Sequence, residues 1–164
     1  GIVIDGRCAA SLPDVYAAGD CTESRDASDG KIKVMALMPN AYMQGHCAGV
    51  NMAGGDERFD NAIPMNSIGF FGLHAMTAGS RATAEEGGTV IGGVSGSLVH
   101  KLFVKDSRLT GFLIIGDTAR TGIYTSLIRN RTPLEDLDFS IIENAPALAA
   151  FDEKYRGKIL GGVI

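Results

Sequence analysis

The sequence has 164 residues, a net charge of −4, and 45% hydrophobic against 21% charged residues, which fits one globular domain, or a small domain with part of another. Acids and bases are interspersed, so there is no basic footprint for nucleic acid, and no apolar run approaches the roughly 20 residues that span a bilayer. Cys8, Cys21 and Cys47 lie far apart without a Cys-x-x-Cys pair; neither a redox dithiol nor a zinc site is written in the spacing, and a reducing, cytoplasmic setting is expected.

In chain order, the first informative stretch is Ser11 to Asp20. Val15 to Ala18 reads as a buried strand that stops at Gly19-Asp20. Ligands of open α/β folds sit at such strand ends. There glycine allows close backbone approach, and an aspartate accepts from hydroxyls. A plain Gly-Asp turn is the other reading.

Residues 21–33 are polar and rich in breakers, the pattern of a solvated loop. The apolar run Val34 to Met38 then meets Pro39, and Asn40 is placed to cap a helix running to about Met52, with Gly54-Gly55 as its stop. Ala41, Gly45, Ala48, Gly49 and Met52 share a stripe small enough to pack closely on a sheet or a flat ligand.

The charged stretch 55–64 reads as a connector, dividing residues 1–56 from 57–164. Beyond it, Ser67 to Met76 reads as one strand containing Phe70-Phe71, and Thr77 to Gly88 as a loop or frayed helix. Ser97 to Lys105 and Leu109 to Gly116 form a hairpin around Asp106-Ser107. Gly111 to Gly116 is apolar on both faces, as a central strand would be. Asp117 or Thr118 can cap a helix from Ala119 to Asn130, ended by Arg131-Thr132-Pro133. A helical piece at Leu134 to Leu137, a strand-like Phe139 to Ile142, a helix from Ala145 to about Tyr155, and an apolar tail from Gly157 complete the expectation.

Three segments carry a resemblance. Ser11, Val15-Tyr16-Ala17-x-Gly19-Asp20, preceded by Gly1-Ile-Val-Ile-Asp5, resembles the second FAD-binding motif of the pyridine nucleotide-disulfide oxidoreductases. Leu37-Met38-Pro39-Asn40-Ala41-x-x-Gln44-Gly45 resembles the helix of that family whose N-terminus points at the flavin pyrimidine. Gly111 to Ile123 is similar to the interface domain in the branch of nitrite reductase flavin subunits, rubredoxin reductases and NADH oxidases.

The resemblance implies an α/β to α+β chain: the tail of an FAD-binding Rossmann-like domain, then a C-terminal interface domain with an antiparallel sheet and flanking helices. It implies that Asp20 bonds the ribityl chain, and that Gly19, Met38, Pro39, Asn40 and Ala41 complete one side of the flavin site. It further implies FAD as cofactor, NAD(P)H as co-substrate, and a homodimer without nucleic acid or membrane partners. No two glycines are separated by a single residue, so Gly-x-Gly-x-x-Gly is absent. The chain is therefore expected to be a C-terminal fragment, inactive alone, with the missing folds upstream.

His46, His74 and His100 occur in unrelated contexts, without the His-Pro of the family's dithiol enzymes, so no catalytic or metal-binding residue is assigned. The competing function is a self-association or partner-docking module without redox activity.

Overall fold

The computed structural model describes residues 1–144, 146–153 and 156. The chain divides into two compact units, Gly1–Asn66 and Ser67–Ile164. Residues 57–66 thus lie in the first unit. There Phe59 packs on the core and the Ala62 and Ile63 carbonyls accept hydrogen bonds from Ala27 and Asn40.

The first unit holds a three-stranded sheet, β1 (Ile2–Val3), β2 (Thr22–Arg25) and β3 (Ile32–Val34), in that spatial order. β1 runs parallel to β2, and β3 antiparallel to it. The expected solvated loop at 21–33 is therefore a hairpin. Its polar sequence misleads because the stabilising groups are polar. Asp26 is fully buried, its Oδ1 accepts from Ser28 N (2.7 Å) and Ser28 Oγ (2.6 Å), and Oδ2 pairs with Lys33 Nζ at 2.7 Å.

Val15–Ala18 is not a buried strand. Tyr16 makes one isolated antiparallel bridge to Ala9, and Val15 is exposed. The segment instead lays Tyr16, Ala17 and Ala18 on a small core of Ile4, Cys8, Cys47 and Ala48.

Helix α1 (Met38–Met52) begins two residues before Asn40, with Leu37 as N-cap. Pro39 fits the first turn because its missing N–H would have no intrahelical acceptor there. Asn40 is thus not the cap. Its side chain is fully buried and donates from Nδ2 to Ile63 O at 3.0 Å. The helix ends as expected: Gly54, at φ 86°, follows Ala53 in the left-handed conformation that closes helices. Its buried face differs from the small-residue stripe. Asn40, Gln44, Cys47, Ala48 and Asn51 turn inward, while Gly45, Gly49 and Met52 are exposed.

In the second unit a five-stranded sheet runs β4-β5-β8-β7-β6. Its strands are β4 (Met65–Phe70), β5 (Leu73–Gly79), β6 (Thr89–Ser95), β7 (Leu98–Lys105) and β8 (Arg108–Ile115). The β7–β8 hairpin and the central place of β8 agree with expectation. Asp106 and Ser107 both have positive φ, as a two-residue turn that follows strand twist requires.

The single strand expected at 67–76 is instead two strands, β4 and β5, joined by Phe71-Gly72, both also at positive φ. Gly79 reaches a backbone approach closed to other residues: a Cβ there would lie 2.0 Å from Thr110 O. β6 was not anticipated, because its run Thr-Val-Ile-Gly-Gly-Val-Ser is interrupted by glycines. Residues 84–86 form a 3-10 turn with a Thr83/Glu86 capping box.

Helix α2 (Gly122–Asn130) starts later than expected; Asp117 Oδ1 caps only the preceding turn, at Ala119 N. Tyr124, Leu127 and Ile128 are buried, with the Tyr124 ring 5.5 Å from Phe112 of β8. A 3-10 turn at Leu134–Asp136 matches the short helical piece. Residues 139–144 form helix α3 (Phe139–Asn144), not a strand, so the bulky pair Ile141-Ile142 misled the periodicity reading. Of the helix expected from Ala145 to about Tyr155, Leu148–Ala150 is a 3-10 turn followed by a Phe151 bridge to Leu137, while Glu153 is helical, with Arg156 N donating to Asp152 O at 3.0 Å. Residues 145, 154 and 155 of that expectation, and the tail from Gly157, lie outside the described residues.

Candidate functional site

The structure brings the Gly19-Asp20 turn and the first turns of α1 together, and Gln44 is the joint. Gly19, at φ 88°, donates its N–H to Gln44 Oε1 at 2.8 Å. The same oxygen accepts from Thr22 Oγ1 at 3.1 Å, while Gln44 Nε2 donates to Ser24 Oγ at 3.2 Å. Thr22 N and Oγ1 both return to Gly19 O, at 3.0 and 2.7 Å. The turn is therefore fixed from both sides by buried polar groups. A Cβ added to Gly19 would sit 3.6 Å from Ala41 Cβ, so these two positions are neighbours.

Asp20 is exposed, and no hydrogen bond or ion pair engages its carboxylate among the described residues. Met38 is 83% exposed and Pro39 exposed beside it. The N–H groups of Met38 and Asn40 belong to the first helical turn, which leaves them without intrahelical acceptors. No acidic side chain occupies that turn, so its partial positive charge is not offset from within the helix.

Of the six residues read from the sequence, Gly19 and Ala41 are brought together, with Asp20 exposed on the turn and Met38 and Pro39 exposed at the helix start. Asn40 does not present its side chain there. Its Nδ2 is taken by Ile63 O, and Oδ1 is a buried acceptor without a donor.

Two residues that fix this turn, Gln44 and Thr22, had no assigned role, nor did Asn51, which ties the later part of α1 to Arg7 and Glu57. Asn51 Nδ2 donates to Arg7 O and Glu57 O, both at 2.9 Å, and its Oδ1 accepts from Glu57 N, also at 2.9 Å. The available signal was the spacing of Asn40, Gln44, Cys47 and Asn51, a helical stripe that lies beside the small-residue one.

The second unit offers no comparable convergence. His100 Nε2 lies 3.2 Å from Tyr124 Oη, and Tyr124 donates its single proton to Ile142 O at 2.6 Å. The imidazole must therefore donate to the phenol oxygen, a structural role. Burial pushes the Tyr124 hydroxyl up to about 12, so it stays protonated at neutral pH. A cleft of about 380 Å³ beside His100 is lined largely by Val94, Leu98, Val99 and Ile115. Among the described residues no group of three or more His, Cys, Asp or Glu side chains could hold a metal ion.

No protein-family model matches the chain. It is 33% identical over 153 residues to the NADH-dependent phenylglyoxylate dehydrogenase subunit epsilon of Aromatoleum evansii, covering 90% of this chain and 36% of that protein. To the large subunit of the NADH nitrite reductase of Escherichia coli it is 26% identical over 152 residues, covering 87% of this chain and 16% of that one. Its fold is similar to the crystal structure of an FAD-dependent pyridine nucleotide-disulphide oxidoreductase from Desulfovibrio vulgaris. There the TM-score is 0.73 and the identity 25%, over 99% of this chain and 42% of that one. The chain thus spans less than half the length of each of these proteins.

Proposed function

The chain is related to the FAD-dependent pyridine nucleotide-disulfide oxidoreductases, matching part of their length, and on that premise we propose that it supplies one side of the flavin site of an FAD-dependent NAD(P)H oxidoreductase. The observation carrying this reading is the exposed Asp20 carboxylate on a turn that Gln44 of α1 fixes, with Gly19 of that turn neighbouring Ala41 in the first turn of the helix, whose start has no side-chain cap.

The residues fit the cofactor. Asp20 accepts from hydroxyls of the ribityl chain, and Gly19 lets that chain approach the backbone. Met38, Pro39 and Ala41 border the pyrimidine edge, and the free N–H groups of the first turn favour electron density there. Asn40 contributes its main chain alone, its side chain being held at Ile63. FAD, when bound, carries the hydride chemistry; the protein binds, orients and polarises it.

The chain has no Gly-x-Gly-x-x-Gly turn, so the adenosine, the pyrophosphate and NAD(P)H fall to further segments of the same protein. The unit Gly1–Asn66 then belongs to the C-terminal end of a Rossmann-like FAD domain, and the unit from Ser67 is an interface domain suited to a homodimer. Titrating the complete apoprotein with FAD, native against Asp20→Ala, tests the reading: affinity falls while folding is retained.

A further inference from the structure

The core of the first unit contains a pair of thiols that sequence spacing concealed. Cys8 and Cys47 stand 39 positions apart yet are both buried in one cluster with Ile4 and Ala48, and the Cys47 thiol donates to Gly6 O, two residues before Cys8, at 3.7 Å. Neither serves the site described above. Cys47 lies on the inner face of α1, its sulfur 3.4 Å from Glu57 O and 3.5 Å from Asn51 Nδ2. Cys8 lies in the turn after β1, where Cys8 N donates to Asp5 O and Asp5 Oδ1 accepts from Arg7 N and Ala9 N.

We propose that Cys8 and Cys47 form an oxidative cross-link site, at which a small hydroperoxide closes a disulfide between the β1 turn and α1. The inference stands independently of the flavin reading. The steps balance. One cysteine sulfur, deprotonated, attacks a peroxide oxygen; the O–O bond breaks, and hydroxide leaves to become water with that thiol's proton. The second sulfur attacks the resulting sulfenic sulfur; the S–O bond breaks, and a second water leaves with the second thiol's proton. Two thiols lose two electrons, and one hydrogen peroxide becomes two waters.

Proximity favours the second step over further oxidation, because the resolving thiol is buried in the same small cluster. The first step is slow, since the thiolate is the nucleophile and the Cys8 thiol is pushed up to about 12 by burial and by Cys47 beside it. Opening of the Asp5–Ala9 turn therefore gates the reaction. Cys8 holds φ 62°, a backbone conformation that favours glycine, and the turn is short. Cys21, exposed in the same unit, is an internal control for ordinary surface reactivity.

The test is prolonged treatment of the intact protein with hydrogen peroxide, then alkylation under denaturing conditions and peptide mapping without reductant. The expected result is a Cys8–Cys47 cross-linked peptide that forms more slowly than Cys21 oxidises. It forms to the same extent in Cys21→Ser, and the thermal midpoint of the first unit rises on the order of 10 °C. Recovery of Cys8 and Cys47 as free, quantitatively alkylated thiols would overturn the proposal. So would their recovery as sulfinic acids or in disulfides with Cys21. The mapping uses the native sequence, so it does not depend on whether a Cys8 or Cys47 variant folds.

Discussion

Gln44 Oε1 accepts the Gly19 N–H at 2.8 Å, tying a turn near the start of the chain to the second turn of α1. This bond converts two sequence motifs into one surface. Without it, the Asp20 carboxylate and the helix start would be separate features on separate segments.

Gln44→Leu keeps the side-chain volume but leaves the Gly19 N–H and the Ser24 hydroxyl without a partner in a buried site. Each stranded group costs desolvation, so the first unit should lose about 1–3 kcal/mol. Chemical denaturation measures this, and a loss below about 0.5 kcal/mol, the scale of an ordinary surface change, would remove Gln44 from its joining role.

Asp20→Ala separates binding from stability. The carboxylate is exposed and unpartnered, so unfolding free energy should stay within about 0.5 kcal/mol of native. A charge-assisted hydrogen bond to the ribityl chain is worth roughly 1.5–3 kcal/mol, so FAD affinity of the complete protein should fall about 10- to 100-fold. A variant that unfolds more readily yet binds FAD normally would make Asp20 a turn residue only.

How much of this was legible depends on which physical signal a residue carries. The β7–β8 hairpin showed itself because its apolar runs flank Asp106-Ser107, and β8 read as central because both its faces are apolar. α1 was visible from Pro39 to Gly54, but its inward face was not, because Asn40, Gln44 and Asn51 stabilise it through hydrogen bonds. The same reason hid the β2–β3 hairpin, whose centre is a buried carboxylate. The contact of the Gly19 turn with α1 was not written in either segment alone, and the residue pattern gave Asn40 a cap role that its buried amide does not perform. Cys8 and Cys47 meet only through the fold, and no local spacing announces them.

The Asp26–Lys33–Asp29 cluster predicts a pH response at both extremes. Burial opposes the Lys33 charge, but hydrogen bonds and attraction from Asp26 and Asp29 hold its pKa above 10.5. A raised pKa contributes stability that is complete below about pH 10.5 and lost as pH climbs through the folded value. Burial likewise opposes the Asp29 charge, but the Lys31 N–H and Lys33 hold its pKa below 3.8. That contribution is present above about pH 3.8 and lost as pH falls through the folded value. Lys33→Met strands the buried Asp26 carboxylate and should cost about 3 kcal/mol near neutrality, read by denaturant titration. A neutral effect would show that Ser28 alone suffices for Asp26.

Phe71 offers a stabilising change. It is 96% exposed at φ 46°, in the first position of a two-residue turn whose second is Gly72. Asn tolerates this conformation better, so Phe71→Asn should add about 0.5–1 kcal/mol despite losing an edge contact with Phe70. A decrease in the thermal midpoint would mean that the aromatic pair outweighs the backbone strain.

The most direct measurement is an FAD titration of the 164-residue chain by itself. Asp20 and the α1 start would hold only the ribityl and pyrimidine parts of the cofactor, each bond contributing about 1–3 kcal/mol net, with no glycine-rich turn for the pyrophosphate. The account predicts colourless purified protein and no saturable binding below about 100 μM, a free energy weaker than roughly 5.5 kcal/mol. A yellow preparation retaining FAD near stoichiometry would contradict it, because the chain would then hold a whole site.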